Sequence, residues 1–286
     1  MYNRSRFSSQ KTRIHFRDFA EVLYKVRSTM KLSFAIGLFL VLLSQSGLGQ
    51  NNYSTTFNYT EKPISNGGVW VNGHAAGKAK CKFGIVYCWG DMQTNGAMAY
   101  GVDEPTKFGD PTAMLNGTWS KDQTVQGTVH VASAQPTRRN KCCREIELRL
   151  RVTIQKGSIT GYEAYCSVLP GNPYCHIASW GGPNGAYVNL DDCLTSSPPK
   201  YLKEGDVLKA TVTGTNPVTL TAFVNGEQIM QVKDTGTCRF SNGKKYGPWV
   251  TGNPGIGQYA TDGSFDSFGL ADFSATDAVQ TAEAQR

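Results

Sequence analysis

The segment from Arg144 to Ile154, Arg-Glu-Ile-Glu-Leu-Arg-Leu-Arg-Val-Thr-Ile, separates cleanly when read with period two. Ile146, Leu148, Leu150, Val152 and Ile154 fall on one side. Glu145, Glu147, Arg149, Arg151 and Thr153 fall on the other. Successive side chains of a strand point to opposite faces, so the segment reads as a β-strand with one apolar and one ionic face. The ionic row has two readings. It is a solvated face of cross-strand Glu–Arg pairs, or it is the floor of a polar groove.

The rest of the chain agrees with a β protein. Beyond Gln50 no helical periodicity is sustained, and short β-rich runs alternate with Gly, Asn, Asp and Pro, as in a sandwich or barrel. Strands are expected at 55–59, 69–71, 83–88, 128–132, 145–154, 159–166, 176–180, 186–190, 207–213, 219–224, 228–233, 257–259 and 267–273. Asn225-Gly226 lies between two of these runs and favours the positive φ angles of a tight hairpin turn. The 275–286 tail is small and polar and is expected to fray.

Residues 1–49 read as a leader. Met30-Lys31 precedes the apolar run Leu32 to Leu43, which ends near Gly47 and Gly49, so 30–49 has the form of a secretory signal peptide. Residues 1–29 are expected to come from an over-extended gene start. The apolar run is short for a membrane span, and no membrane association is expected once the leader is cleaved. The chain carries a formal charge of +7, but the leader holds eight Lys/Arg against two Asp/Glu, which leaves +1 for the remainder. Long-range attraction to nucleic acid therefore has no support. Arg138, Arg139, Lys141 and Arg144 read as a solvated basic loop.

All eight cysteines lie beyond the leader. An even count behind a signal peptide implies disulfides and an oxidising compartment. Local pairs are expected for Cys81 with Cys88 and for Cys166 with Cys175. Adjacent Cys142 and Cys143 are expected to reach different partners. Cys-x-x-Cys spacing for zinc is absent. Asn52, Asn58 and Asn116 begin Asn-x-Ser/Thr triplets.

The last third carries a familiar series of pieces. These are Gly161-Tyr162-Glu163, the run Ile177 to Gly182 with Trp180, Leu202 to Ala210, the hairpin Leu220 to Gly226, Gly252-Asn253-Pro254-Gly255-Ile256-Gly257 and Phe265-Asp266-Ser267-Phe268. On these the chain resembles the concanavalin A-like lectin/glucanase superfamily, which includes laminin G-like domains and secreted bacterial members. The resemblance spans roughly 52–273. It implies a single domain over 50–274, all-β, built as a jelly-roll sandwich of two antiparallel sheets. One sheet is expected to present a concave face.

The resemblance hosts several functions, and the residues weigh them. Laminarinase-type hydrolases carry Glu-x-Asp-x-x-Glu, with a nucleophile and an acid about 5 Å apart. Here Glu145 and Glu147 have the first spacing, but the third carboxylate is missing. Alginate-lyase-type jelly rolls carry Arg-x-Glu-Leu-Arg, and Glu147-Leu148-Arg149 is similar. In a lyase, Arg149 or Arg151 would neutralise a uronate carboxylate, and His176 or Tyr174 would move the proton. The leading expectation is recognition of a polysaccharide or glycan without chemistry, through Glu145, Glu147, Arg149, Arg151, His176 and Trp180. Trp180 precedes Gly181-Gly182 and is a candidate stacking ring. A structural or adhesive surface protein is the third reading. No cofactor is required. Calcium, the cation this fold often uses, would be offered oxygens by Asp262-Gly263-Ser264-Phe265-Asp266.

Overall fold

The computed structural model describes residues 51–81, 84–87, 89–102, 110–132 and 142–277, all within the unit Gln50–Arg286. The signal-peptide expectation, Cys88 and the basic residues Arg138, Arg139 and Lys141 lie outside the described residues. Among the described residues no helix is long and apolar enough to cross a membrane.

The strands are β1 (Asn52–Thr55), β2 (Thr60–Glu61), β3 (Trp70–Asn72), β4 (Lys78–Cys81), β5 (Gly84–Tyr87), β6 (Met92–Asn95), β7 (Ala99–Gly101), β8 (Thr112–Leu115), β9 (Gln123–Val131), β10 (Arg144–Gln155), β11 (Ser158–Ser167), β12 (Cys175–Gly182), β13 (Tyr187–Asn189), β14 (Val207–Thr213), β15 (Val218–Val224), β16 (Glu227–Asp234), β17 (Asn253–Ala260), β18 (Phe268–Leu270) and β19 (Phe273–Thr276). A short helix, α1 (Leu190–Leu194), follows β13. Seven strands form one antiparallel sheet in the order β13-β12-β11-β10-β17-β8-β3. Ten form the second, with β16-β15-β14-β9-β18-β7-β6-β2 as its path and β19 joining β1 to β9. The two sheets make the expected jelly-roll sandwich.

Alternation builds the core. Ile146, Leu148 and Leu150 of β10 meet Val125 of β9 and Leu208, Ala210 and Val212 of β14 in one buried cluster. Each such side chain contributes about 1.5–3 kcal/mol by leaving water. Lys209, Thr211 and Thr213 of β14 point away from the core. The Asn225-Gly226 turn joins β15 to β16 with φ of 54° and 79°, as its residue types require.

The alternation of β10 does not run its full length. Pairing shifts at Arg151, whose φ is 50°. This is a β-bulge, and it exchanges the faces beyond it. Val152 leaves the main core and joins Ala76, Trp89, Ile159 and Trp180 on the other side. Glycines on both neighbours make room. A Cβ at Gly161 or Gly252 would lie 2.7 Å or 2.2 Å from the Arg151 carbonyl oxygen.

Three disulfides tie the described residues. Cys166–Cys175 is as expected, and Cys193–Cys238 links α1 to the segment after β16. Cys142 and Cys143 are bonded to each other rather than to distant partners, which corrects the expectation from sequence. The cysteines that stand elsewhere along β11, β12 and α1 are already paired among themselves. Strand positions also shift. Of the 55–59 run, Thr55 ends β1 and 56–59 form a loop before β2, and 267–273 divides into β18 and β19.

Candidate functional site

The seven-stranded sheet places β10 in its middle, so the ionic row of this strand is not an edge feature. On the face away from the core, Glu145, Glu147 and Arg149 lie beside Tyr165 and Glu163 of β11. His176 and Trp180 of β12 follow, then Tyr187 and Asn189 of β13. On the other flank β17 brings Tyr259 opposite Glu145 and Gly257 opposite Glu147. Gly257 must be glycine here, because a Cβ would stand 2.1 Å from Oε2 of Glu147.

The floor is a buried ion cluster. Nη2 of Arg149 donates to Oδ1 of Asp110 at 2.5 Å and to Oε2 of Glu147 at 2.6 Å, and Nη1 lies 2.9 Å from Oε2 of Glu163. Arg149 and Glu147 are each 1 % exposed. Three carboxylates thus share one guanidinium in a dry environment. Burial raises Glu147 well above the usual carboxylate range, and the charge of Glu163 adds to it. Burial likewise raises Asp110 and pushes Glu163 up to about 7, against the opposing pull of Arg149. Nε of Arg149 is buried and has no acceptor among the described residues.

The mouth is aromatic. Trp180 donates its ring N–H to Glu163, and its ring lies under the Arg149 guanidinium at 5.5 Å. Trp89 packs edge-on to Trp180 at 4.9 Å, and Tyr187 lies over it at 5.1 Å. Tyr187 is 40 % exposed, whereas Trp180 is 7 % exposed. Tyr165, Tyr174 and His176 form a second group, with centroids 5.3–6.2 Å apart. The Tyr174 hydroxyl donates to Glu145, and the Tyr165 hydroxyl donates to Oδ1 of Asn189 at 3.0 Å. Burial pushes Glu145 up to about 8, against the lowering effect of the Tyr174 bond. Burial raises Tyr165 and Tyr174 above the usual phenol value, and the charge of Glu145 adds to both.

Of the residues expected from sequence, Glu145, Glu147, Arg149, Tyr174, His176 and Trp180 come together. Arg151 does not. The bulge turns it toward the sheet interior, where Nε donates to the Lys121 carbonyl at 2.5 Å, Nη1 to Trp249 at 2.7 Å and Nη2 to Gly214 at 2.8 Å. Its role is to tie loops together. The lyase alternative, which named Arg149 or Arg151 with His176 or Tyr174, is left with Arg149 alone. Arg149 already carries three carboxylates, and Tyr174 is raised rather than lowered, the wrong direction for a base. The carboxylate missing from the strand is supplied by its neighbours, Glu163 and Asp110. Those two, with Tyr165, Tyr187, Asn189 and Tyr259, were not singled out from sequence. The signal for Glu163 and Tyr165 was the alternation of β11 against Tyr162 and Ala164.

Two acidic sets bear on a metal. Asp262 lies 2.9 Å from Nη2 of Arg144 and takes the Ser264 amide on its other oxygen, so its turn is closed by the protein itself. His176, Asp191 and Asp192 bring ligand atoms within 4.8 Å of one another. In that set Asp191 already accepts from the Ile177 amide and faces Nδ1 of His176, both at 2.8 Å. Asp192 is exposed, so among the described residues this set offers one nitrogen and two carboxylates toward the six to eight oxygens that calcium takes. A shallow groove of about 320 Å³ also lies on the ten-stranded sheet, lined by Asn52, Ser54, Thr124, Gln126, Ser274 and Thr276 among others.

No protein-family model matches the chain, and no curated protein matches it. Solved structures that resemble it include the exoplasmic/lumenal domain of VIP36 in a Ca2+/Man-bound form, at 11 % identity and TM-score 0.42, covering 81 % of this chain and 94 % of that one. The Emp46p carbohydrate recognition domain, potassium-bound, matches at 10 % identity and TM-score 0.38, covering 74 % and 89 %. The Emp47p carbohydrate recognition domain matches at 12 % identity and TM-score 0.37, with the same coverage.

Proposed function

We propose that this is a secreted protein that binds a polysaccharide or glycan across the outer face of its seven-stranded sheet. One observation carries the reading: a central sheet face brings exposed and half-buried aromatic rings together with polar groups that are rigidly held from below. Tyr187 offers its ring for stacking on the apolar face of a sugar, backed by Trp180 and Trp89. Glu145, Asn189 and His176 stand beside it as hydrogen-bonding groups for hydroxyls. Trp180 supports the platform from beneath and is not the platform itself.

Recognition fits the geometry better than hydrolysis. Glu147 and Glu163 are 1 % and 3 % exposed and bonded to Arg149, so neither reaches a glycosidic oxygen. The test is a glycan array probed with the wild type and with Tyr187→Ala. Binding to polysaccharide or oligosaccharide is expected, weakened about tenfold by the substitution, in line with the loss of one stacking ring, with the melting temperature unchanged. A silent array would remove the reading. A rise of near-ultraviolet absorbance on uronate polymers would restore the eliminative one.

A further inference from the structure

Glu145 is a half-buried carboxylate with no cation paired to it among the described residues. Asp110, Glu147 and Glu163 share Arg149, and Asp191 has His176. The side-chain partner of Glu145 is the Tyr174 hydroxyl. A carboxylate partly withdrawn from water without a counter-charge is costly, and among the described residues Asp110, Glu145, Glu147 and Glu163 stand against the one guanidinium of Arg149.

The surroundings of Glu145 indicate what would supply it. Tyr259 stands directly opposite on β17. Tyr174 bonds to it, and Tyr165 sits edge-on to Tyr174 at 6.2 Å and 77°. The charge of Glu145 is felt by Tyr165, Tyr174, Tyr187 and Tyr259 alike. A hard metal ion demands a shell of oxygens, which phenol rings do not provide. An ammonium suits the place, because it pairs with the carboxylate and is attracted to ring faces. A second observation also points to a ligand. Nε–H of Arg149, in a side chain 1 % exposed, lacks an acceptor among the described residues. One sheet face thus offers a carboxylate without a cation and a donor without an oxygen.

We propose that this sheet face selects glycans bearing free amino groups, the sugar ammonium pairing with Glu145 among Tyr165, Tyr174 and Tyr259 while a sugar ring stacks on Tyr187. This rests on the carbohydrate-binding reading and names its ligand class. It also reverses the expectation of an acidic sugar, since this face carries an excess of carboxylates. Bulk charge does not provide the selectivity, because residues 50–286 carry a net charge of only +1.

The test is titration calorimetry of the protein with three hexasaccharides of equal length: fully deacetylated glucosamine, its N-acetylated form, and a neutral glucose hexamer. The amino hexamer is expected to bind about tenfold more tightly than the other two, as one desolvated cation–carboxylate–ring contact provides. Glu145→Gln keeps the shape and the Tyr174 bond and is expected to bring all three to similar affinity, with circular dichroism unchanged. Should Glu145→Gln fail to fold, Tyr259→Ala replaces it and is expected to reduce the preference. Equal affinity in the wild type, or failure of the amino hexamer to bind, overturns the inference. A preference that survives both substitutions does the same. Neutral hexamers binding without preference would leave the carbohydrate reading standing, whereas silence from all three and from the glycan array removes both.

Discussion

At the scale of single residues, Arg149 holds the site together. It satisfies Asp110, Glu147 and Glu163 from one guanidinium, and its removal leaves three buried carboxylates unpaired. Breaking a buried pair from one side costs about 3–5 kcal/mol. Arg149→Ala is therefore expected to lose about that much stability at pH 8 and less at pH 5, where the carboxylates take up protons. Urea denaturation at the two pH values measures it, and a loss that is small and equal at both contradicts the role. Glu145 and Glu163 set a second pH effect. In the unfolded chain both titrate near 4.5, whereas in the folded chain they hold protons to about 8 and about 7. The folded state thus binds more protons between those limits, so their contribution to stability is full below about pH 4.5 and is lost as pH rises through 7 and 8. Glu163, Asp110 and Arg149 act on Glu145 by charge, Tyr174 by its hydrogen bond, and Tyr165, Tyr187 and Tyr259 stand in its field. The melting temperature should drop by several degrees across this window, and Glu145→Gln should flatten the drop. An unchanged slope would show that Glu145 does not hold its proton.

At the scale of elements, β10 shows what a sequence reveals and what it conceals. Its period-two pattern identified a strand with an ionic face, and Glu145, Glu147 and Arg149 do share that face with His176 and Trp180. The Asn225-Gly226 hairpin was equally legible, since the turn demands those residue types. The bulge at Arg151 was not. The apolar–ionic alternation continues unbroken through it, and the glycines that permit it, Gly161 and Gly252, lie on the two partner strands. Glu163, Tyr165, Tyr187 and Tyr259 were hidden for the same reason, because their place in the site depends on strand register and not on local pattern. The bulge also has a stability role. Arg151 gives three hydrogen bonds to carbonyls of Lys121, Gly214 and Trp249, linking three loops. Arg151→Ala should cost on the order of 3 kcal/mol, given about 1 kcal/mol or more for each charge-assisted bond left open. Glycan affinity should change little once the variant is folded. Thermal melting and calorimetry separate the two, and a binding loss without a stability loss would return Arg151 to the binding face.

At the scale of the molecule, the sandwich gives its two outer faces different chemistry. The ten-stranded sheet presents Thr, Ser, Asn and Gln around a shallow groove, while the seven-stranded sheet presents aromatic rings over perturbed carboxylates. The three disulfides fit an oxidising compartment and fasten β11 to β12 and α1 to the segment after β16. Ligand is expected on the seven-stranded face, and hydrogen–deuterium exchange with and without the best-binding oligosaccharide tests this. Amides in β11, β12, β13 and β17, over 163–189 and 255–260, should exchange more slowly in the complex. Protection confined to β1, β9 and β19, or absent from both faces under saturating ligand, would contradict it.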